Sequence, residues 1–182
     1  PGARVDGGVA RVSGKTSSQF LSALLLASPL LATTQPLVIE ITDELISQPY
    51  VQLTIDLMAK FGVAVDIDGA YRSFTVAPAQ KYTNAGLPDA TYFVEGDASS
   101  ASYFLAAAAM TGGDLTVVGC GSESTQGDVR FAEVLRDMGA PVTLHPTNIT
   151  VAAATPALKG IDVDCLDIPD AAMTLAAVAL VA

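Results

Sequence analysis

The sequence predicts an α/β protein made of repeated βαβαββ units with buried helices. Three observations carry that reading. First, a small polar turn runs straight into an Ala/Leu-rich helix three times, at Thr16-Ser17-Ser18-Gln19-Phe20-Leu21, at Gly96-Asp97-Ala98-Ser99-Ser100-Ala101, and at Ile168-Pro169-Asp170-Ala171-Ala172-Met173. Second, the order of elements recurs: Phe20 returns as Phe104 after 84 residues, Gly62 as Gly139 after 77, and Asp97 as Asp170 after 73. That spacing is too long for a solenoid and marks duplicated supersecondary units. Third, one helix of each pair is almost wholly apolar, which places it in a core.

Taken in order, a first helix is expected over 18–32, followed by a β-branched strand over 36–41. A second helix follows over 48–61, with Leu53, Ile55, Leu57, Met58 and Phe61 as its apolar face and Gly62 as its stop. Ser47 stands at its N-cap and Pro49 in its first turn, where proline is tolerated. Runs over 63–67 and 71–76 alternate around Asp68-Gly69, a hairpin signature. The second half repeats the theme with helices over 99–110 and 128–138 and strands over 115–118, 142–145 and 149–153; a third start follows Ile161-Asp162-Val163-Asp164. The boundary between units is expected within 92–96.

Composition narrows the function. The chain has 182 residues, 51% of them hydrophobic and 15% charged, which is enough for packed cores. The net charge of −10, with nine Lys and Arg scattered from Arg4 to Lys159, argues against nucleic acid as a partner. The longest apolar runs, 20–32 and 171–182, fall short of the roughly 18 to 20 residues of a membrane span, and no signal peptide is visible. Cys120 and Cys165 lie apart from any Cys or His cluster and read as core thiols of a reducing compartment. The chain opens at Pro1 without Met and stops at Ala182 inside an apolar helical pattern, so a piece of a longer protein is expected.

Helix starts carry unsatisfied N–H groups and partial positive charge, which suits an anion. Ser17, Ser18 and Ser47 add hydroxyls there, yet each serves equally well as a plain N-cap, as do Asp97, Asp128 and Asp170. Three other features are set aside. Gly14-Lys15-Thr16 lacks the first glycine of a P-loop, the Asn148-Ile149-Thr150 sequon has no secretory context, and His145 has no partner that would make it a ligand or base.

Five stretches, in one order along nearly the whole chain, resemble the enolpyruvyl transferases, in the branch acting on shikimate 3-phosphate. They are Ser17-Ser18-Gln19-Phe20-Leu21-Ser22-Ala23-Leu24, Ser47-Gln48-Pro49-Tyr50, Glu95-Gly96-Asp97-Ala98-Ser99-Ser100-Ala101-Ser102-Tyr103-Phe104, Gln126-Gly127-Asp128-Val129-Arg130-Phe131-Ala132 and Ile168-Pro169-Asp170-Ala171-Ala172-Met173. The resemblance implies the inside-out α/β barrel of that family: two domains of three similar units each, with the active site in the cleft between them. Residues 1–93 then correspond to the last unit of the first domain, and 94–182 to the first unit of the second plus the truncated start of the next.

It also implies transfer of the enolpyruvyl group of phosphoenolpyruvate to the 5-hydroxyl of shikimate 3-phosphate, in aromatic amino-acid biosynthesis, without cofactor or metal and in the cytoplasm. On this resemblance Ser17, Ser18 and Ser47 hold the phosphate of shikimate 3-phosphate, Gln19 reaches into the cleft, Tyr50 packs near the ring, and Asp170 is the base for the 5-hydroxyl. The family's basic phosphoenolpyruvate pocket has no counterpart here, so this stretch alone is expected to be inactive and, as a cut piece of a monomeric enzyme, to self-associate. The alternatives are the related transferase acting on UDP-N-acetylglucosamine and a non-catalytic binding module of the same fold.

Overall fold

The β-branched run expected as the first strand is in fact the second. In the computed structural model, which describes residues 5–153 and 157–182, β1 (Gly8–Val12) precedes α1 (Ser18–Leu31), β2 (Leu37–Ile41), α2 (Gln48–Lys60), β3 (Asp66–Ile67) and β4 (Ser73–Val76). Pro1 and Arg4 lie outside the described residues. This βαβαββ set forms one compact unit, Pro1–Phe93, and Val94–Ala182 forms a second.

In the first unit the sheet order is β1-β2-β4-β3. β1 runs parallel to β2, with Gly8 opposite Leu37 and Val12 opposite Ile41, while β4 is antiparallel to both β2 and β3. Along β2, Leu37, Ile39 and Ile41 are buried while Val38 and Glu40 are half-buried, the alternation a strand imposes. Those residues meet Phe74 and Val76 of β4, Leu21 and Leu25 of α1, and Val51, Ile55 and Met58 of α2. The helix pair is pinned by a hydrogen bond between Ser22 Oγ and Thr54 Oγ1 at 2.9 Å.

Pro29 sits inside α1 without breaking it. A proline cannot donate to the carbonyl four residues back, which here belongs to Leu25. The Ser28 hydroxyl takes that carbonyl instead, at 2.6 Å and fully buried, so no acceptor is stranded.

The second unit is plainer. It runs α3 (Ala98–Thr111), β5 (Leu115–Val118), a 3₁₀ turn (Gly127–Arg130), α4 (Phe131–Asp137), β6 (Val142–Leu144), β7 (Asn148–Val151), a 3₁₀ turn (Pro169–Ala171) and α5 (Ala172–Ala179). Its sheet is antiparallel in the order β5-β7-β6. Three strands therefore stand among the described residues where about four are expected. The chain ahead of α3 makes no ladder; it contributes one backbone bond, Gly96 N–H to Gly119 O at 2.7 Å, while Phe93 and Val94 stay exposed. The helix expected over 128–138 begins as a 3₁₀ turn with Asp128 inside it.

Both apolar helices bury only one side here. α1 exposes Phe20, Ala23 and Leu26, and α3 exposes Phe104, Ala107 and Met110. These are the same helical positions, 84 residues apart. Repetition thus extends from the sequence to the exposed face.

Candidate functional site

Because β1 and β2 are parallel neighbours, their carboxyl ends lie at the same edge of the sheet, and each leads into a helix start. Ligands of open α/β sheets bind beyond such carboxyl ends. The two loops are tied together. Asp43 accepts from Ser13 Oγ at 2.7 Å, from Gly14 N–H at 2.6 Å and from Lys15 N–H at 3.2 Å. Thr42 N–H donates to Val12 O and Ile46 N–H to Gly14 O. Gly14 has no room for a side chain: a Cβ would lie 2.6 Å from Glu44 O and 2.7 Å from Leu45 Cα. The Gly14-Lys15-Thr16 stretch is thus a packing joint between loops.

On this frame stand five of the six residues expected to carry the chemistry. Ser17 is the N-cap of α1, with its Oγ accepting from Gln19 N–H at 3.2 Å. Ser18 is buried in the first turn and Gln19 is exposed. No acidic side chain lies in that turn. Ser47 holds the N-cap position of α2 but does not cap it; its backbone is left-handed (φ 53°, ψ 45°) and its side chain makes no capping bond. A non-glycine residue in that region costs about 1–3 kcal/mol and persists only where its surroundings hold it. Tyr50, half-buried, follows one turn on, its N–H donating to Ser47 O at 3.2 Å. The structure therefore brings Ser17, Ser18, Gln19, Ser47 and Tyr50 to adjacent, cross-tied loops.

Asp170 belongs to the second unit, in the 3₁₀ turn ahead of α5. It is exposed and caps neither that turn nor α5. The plain N-cap reading of Asp170 is thereby removed. Asp97, in contrast, is a capping residue: it accepts from Ser99 and Ser100 N–H at 3.1 and 3.3 Å. The Ser100 hydroxyl beside it, with those amides, holds its carboxyl below the ordinary aspartate range. Asp128 is buried and accepts from Ser99 Oγ at 2.7 Å, a structural tie between α3 and the turn before α4.

Sequence reasoning did not single out Asp43, and it quoted Gln126 only within a matching stretch, with no role of its own. Gln126 Oε1 accepts from Ala98 N–H at 2.9 Å, and its Nε2 donates to Glu95 Oε2 and Gly96 O. Cys120 is buried, which pushes its thiol pKa up. Among the described residues no group of three His, Cys, Asp or Glu is placed to hold a metal ion, and no helix is long and apolar enough to cross a membrane.

Two helix starts bearing hydroxyls thus stand side by side at the carboxyl edge of a parallel strand pair, the edge at which open α/β folds take their ligands. Comparison with known proteins makes this particular. A family model for EPSP synthase (3-phosphoshikimate 1-carboxyvinyltransferase) matches residues 2–182, and the chain belongs to that family. It is 52% identical over 172 residues to 3-phosphoshikimate 1-carboxyvinyltransferase of Herminiimonas arsenicoxydans, covering 94% of this chain and 38% of that protein. It is 50% identical over 184 residues to the chloroplastic enzyme of Petunia hybrida, covering 98% of this chain and 34% of that one. The chain thus spans less than two fifths of either relative. Among solved structures, EPSP synthase from Acinetobacter baumannii matches with a TM-score of 0.66 at 23% identity, over 96% of this chain and 38% of that one, a likeness of fold.

Proposed function

We propose that this chain supplies the shikimate 3-phosphate grip of a 3-phosphoshikimate 1-carboxyvinyltransferase. The observation carrying the proposal is the cross-tied pair of loops that presents Ser17, Ser18 and Gln19 beside Ser47 and Tyr50. Hydroxyls and helix-start amides can surround a phosphate with donors, and no carboxylate competes in the first turn of α1. In the proposed reaction Asp170 takes the proton of the substrate 5-hydroxyl as its oxygen bonds to C2 of phosphoenolpyruvate and a proton from solvent adds to C3; phosphate then leaves from C2 as C3 gives up a proton, which restores the double bond as an enol ether. An exposed carboxylate that caps no helix is available for that task.

The reaction would serve aromatic amino-acid biosynthesis in the cytoplasm; the Petunia relative is chloroplastic, so the plastid is the alternative that fractionation decides. Titration of the chain with shikimate 3-phosphate should perturb the amides of Ser17–Gln19 and Ser47, with no release of phosphate from phosphoenolpyruvate. Turnover by the 182-residue chain, or a preference for UDP-N-acetylglucosamine, would contradict the reading. The exposed α1 and α3 faces should drive self-association; a monomer at high concentration by light scattering would refute that.

A further inference from the structure

We propose that Asp43 is a positioning residue, a latch that fixes the β1–α1 loop to the β2–α2 loop so that the two hydroxyl-bearing helix starts act as one phosphate grip. The inference rests on the grip reading of Ser17, Ser18 and Ser47.

Asp43 stands two residues beyond β2, and all three donors to its carboxylate come from the other loop: Ser13 Oγ and Gly14 and Lys15 N–H. Its own carbonyl is held by Arg72 Nη1 at 2.7 Å, from the residue before β4, so the latch is anchored to the sheet. A carboxylate suits the post because it only accepts and has two oxygens to share among three donors; a hydroxyl or ammonium group could not do this. Bonds to an ionised acceptor are also roughly twice as strong as neutral ones.

The negative charge of Asp43 is partly offset by Lys15 beside it. Both carboxylate oxygens are occupied by donors, and Lys15 brings a positive charge close enough to favour the ionised form.

What the latch holds is costly to hold otherwise. Ser47 keeps a left-handed backbone, and the residues before it, Glu44 to Ile46, are pressed on Gly14. Freed from Asp43, the amides of Gly14 and Lys15 would turn to water, and the loop ending at Ser17 would lose its side-chain tie to the loop ending at Ser47. Each helix start and the backbone bonds from Thr42 N–H to Val12 O and from Ile46 N–H to Gly14 O would survive, but the mutual placement of the two starts would loosen. That placement is what a ligand bound by both requires.

The test compares the full chain with Asp43→Ala and Asp43→Asn by amide exchange and by NMR titration with shikimate 3-phosphate. In Asp43→Ala, exchange at Gly14 and Lys15 should rise and affinity should fall, each by about tenfold or more. Exchange at Ile39 and Ile55 in the core should stay unchanged. Asp43→Asn, whose amide oxygen still accepts, should recover part of both. Wild-type exchange at Gly14 and Lys15 in Asp43→Ala overturns the latch, and a lost latch with unchanged affinity overturns its link to the grip. If Asp43→Ala loosens the core, Ser13→Ala, which removes one donor, must show a smaller loss of the same kind or the proposal fails. A wild-type chain with no affinity for shikimate 3-phosphate contradicts the grip reading, while the exchange comparison still decides the latch.

Discussion

The starts of α1 and α3 are spelled alike and capped differently. At α3 the first amides are taken by the chain's own side chains: Ala98 N–H by Gln126, and Ser99 and Ser100 N–H by Asp97. Glu95 and Asp97 put negative charge at that end of the helix, which repels an anion. At α1 a single neutral hydroxyl, Ser17 Oγ, caps Gln19 N–H and no acid lies in the first turn; the Asp43 carboxylate in the approach bonds to the loop before the helix, next to the charge of Lys15, and takes none of the helix-start amides. A polar turn before a helix is therefore not itself an anion site. What decides is whether the helix has already satisfied its own orphan donors.

The largest effect that could break the contrast lies in the two cores. Phe74 and Phe131 are each fully buried, one in each unit. Phe74→Ala and Phe131→Ala should each cost about 3–5 kcal/mol. Urea unfolding followed by amide exchange should show protection falling mainly in the unit that carries the change. Equal loss in both units would mean that they do not behave separately.

The caps sharpen the comparison. Asp97→Ala should destabilise α3 by about 0.5–2 kcal/mol and leave shikimate 3-phosphate affinity untouched. Ser17→Ala should sit at the low end of the same stability range yet weaken that affinity about tenfold. Thermal melts and NMR titrations of the two variants separate the roles; matching affinity losses would erase the distinction.

A smaller effect is expected at Ser47. Glycine accepts the left-handed backbone without strain, so Ser47→Gly should leave stability unchanged or raise it by up to about 1 kcal/mol while reducing affinity through the lost hydroxyl. Stability falling together with affinity would show that the hydroxyl holds the fold and not the ligand.

The smallest difference concerns pH. Asp43, held down by Ser13 Oγ first and by the Gly14 and Lys15 amides and charge after it, and Asp97, held down by Ser100 Oγ first, both have folded pKa values below the unfolded one. Their contributions are therefore complete above about pH 3.9, the ordinary aspartate value, and are lost as pH falls through the lower folded values. Carboxyl ¹³C titration should find both below the usual range; an ordinary value at Asp43 would argue against its three donors.

Much of this was legible in the sequence because periodicity and punctuation are local. Helices α1, α2 and α3 and strand β5 fall at or within a residue or two of their expected places, and Gly62 and Gly112 follow helices in the left-handed conformation that favours glycine. Strand β1 was not legible, since Gly8–Val12 alternates weakly and owes its form to pairing with β2. The second unit teaches the same lesson in reverse: β-prone Tyr92 to Val94 join no sheet among the described residues. The hydroxyl-bearing helix starts could be read from residue type and position. Asp43 and Gln126 could not, because their hydrogen-bond partners lie about 30 residues away and only the topology brings them near.

The central claim is that the phosphate grip belongs to the first unit and that α3, already capped, takes no part. A single ¹⁵N–¹H titration of the chain with shikimate 3-phosphate tests it most directly. The account predicts saturable shifts at Ser17–Gln19 and Ser47 and none at Ala98–Ser100. Shifts at the start of α3, or none at the start of α1, would contradict it.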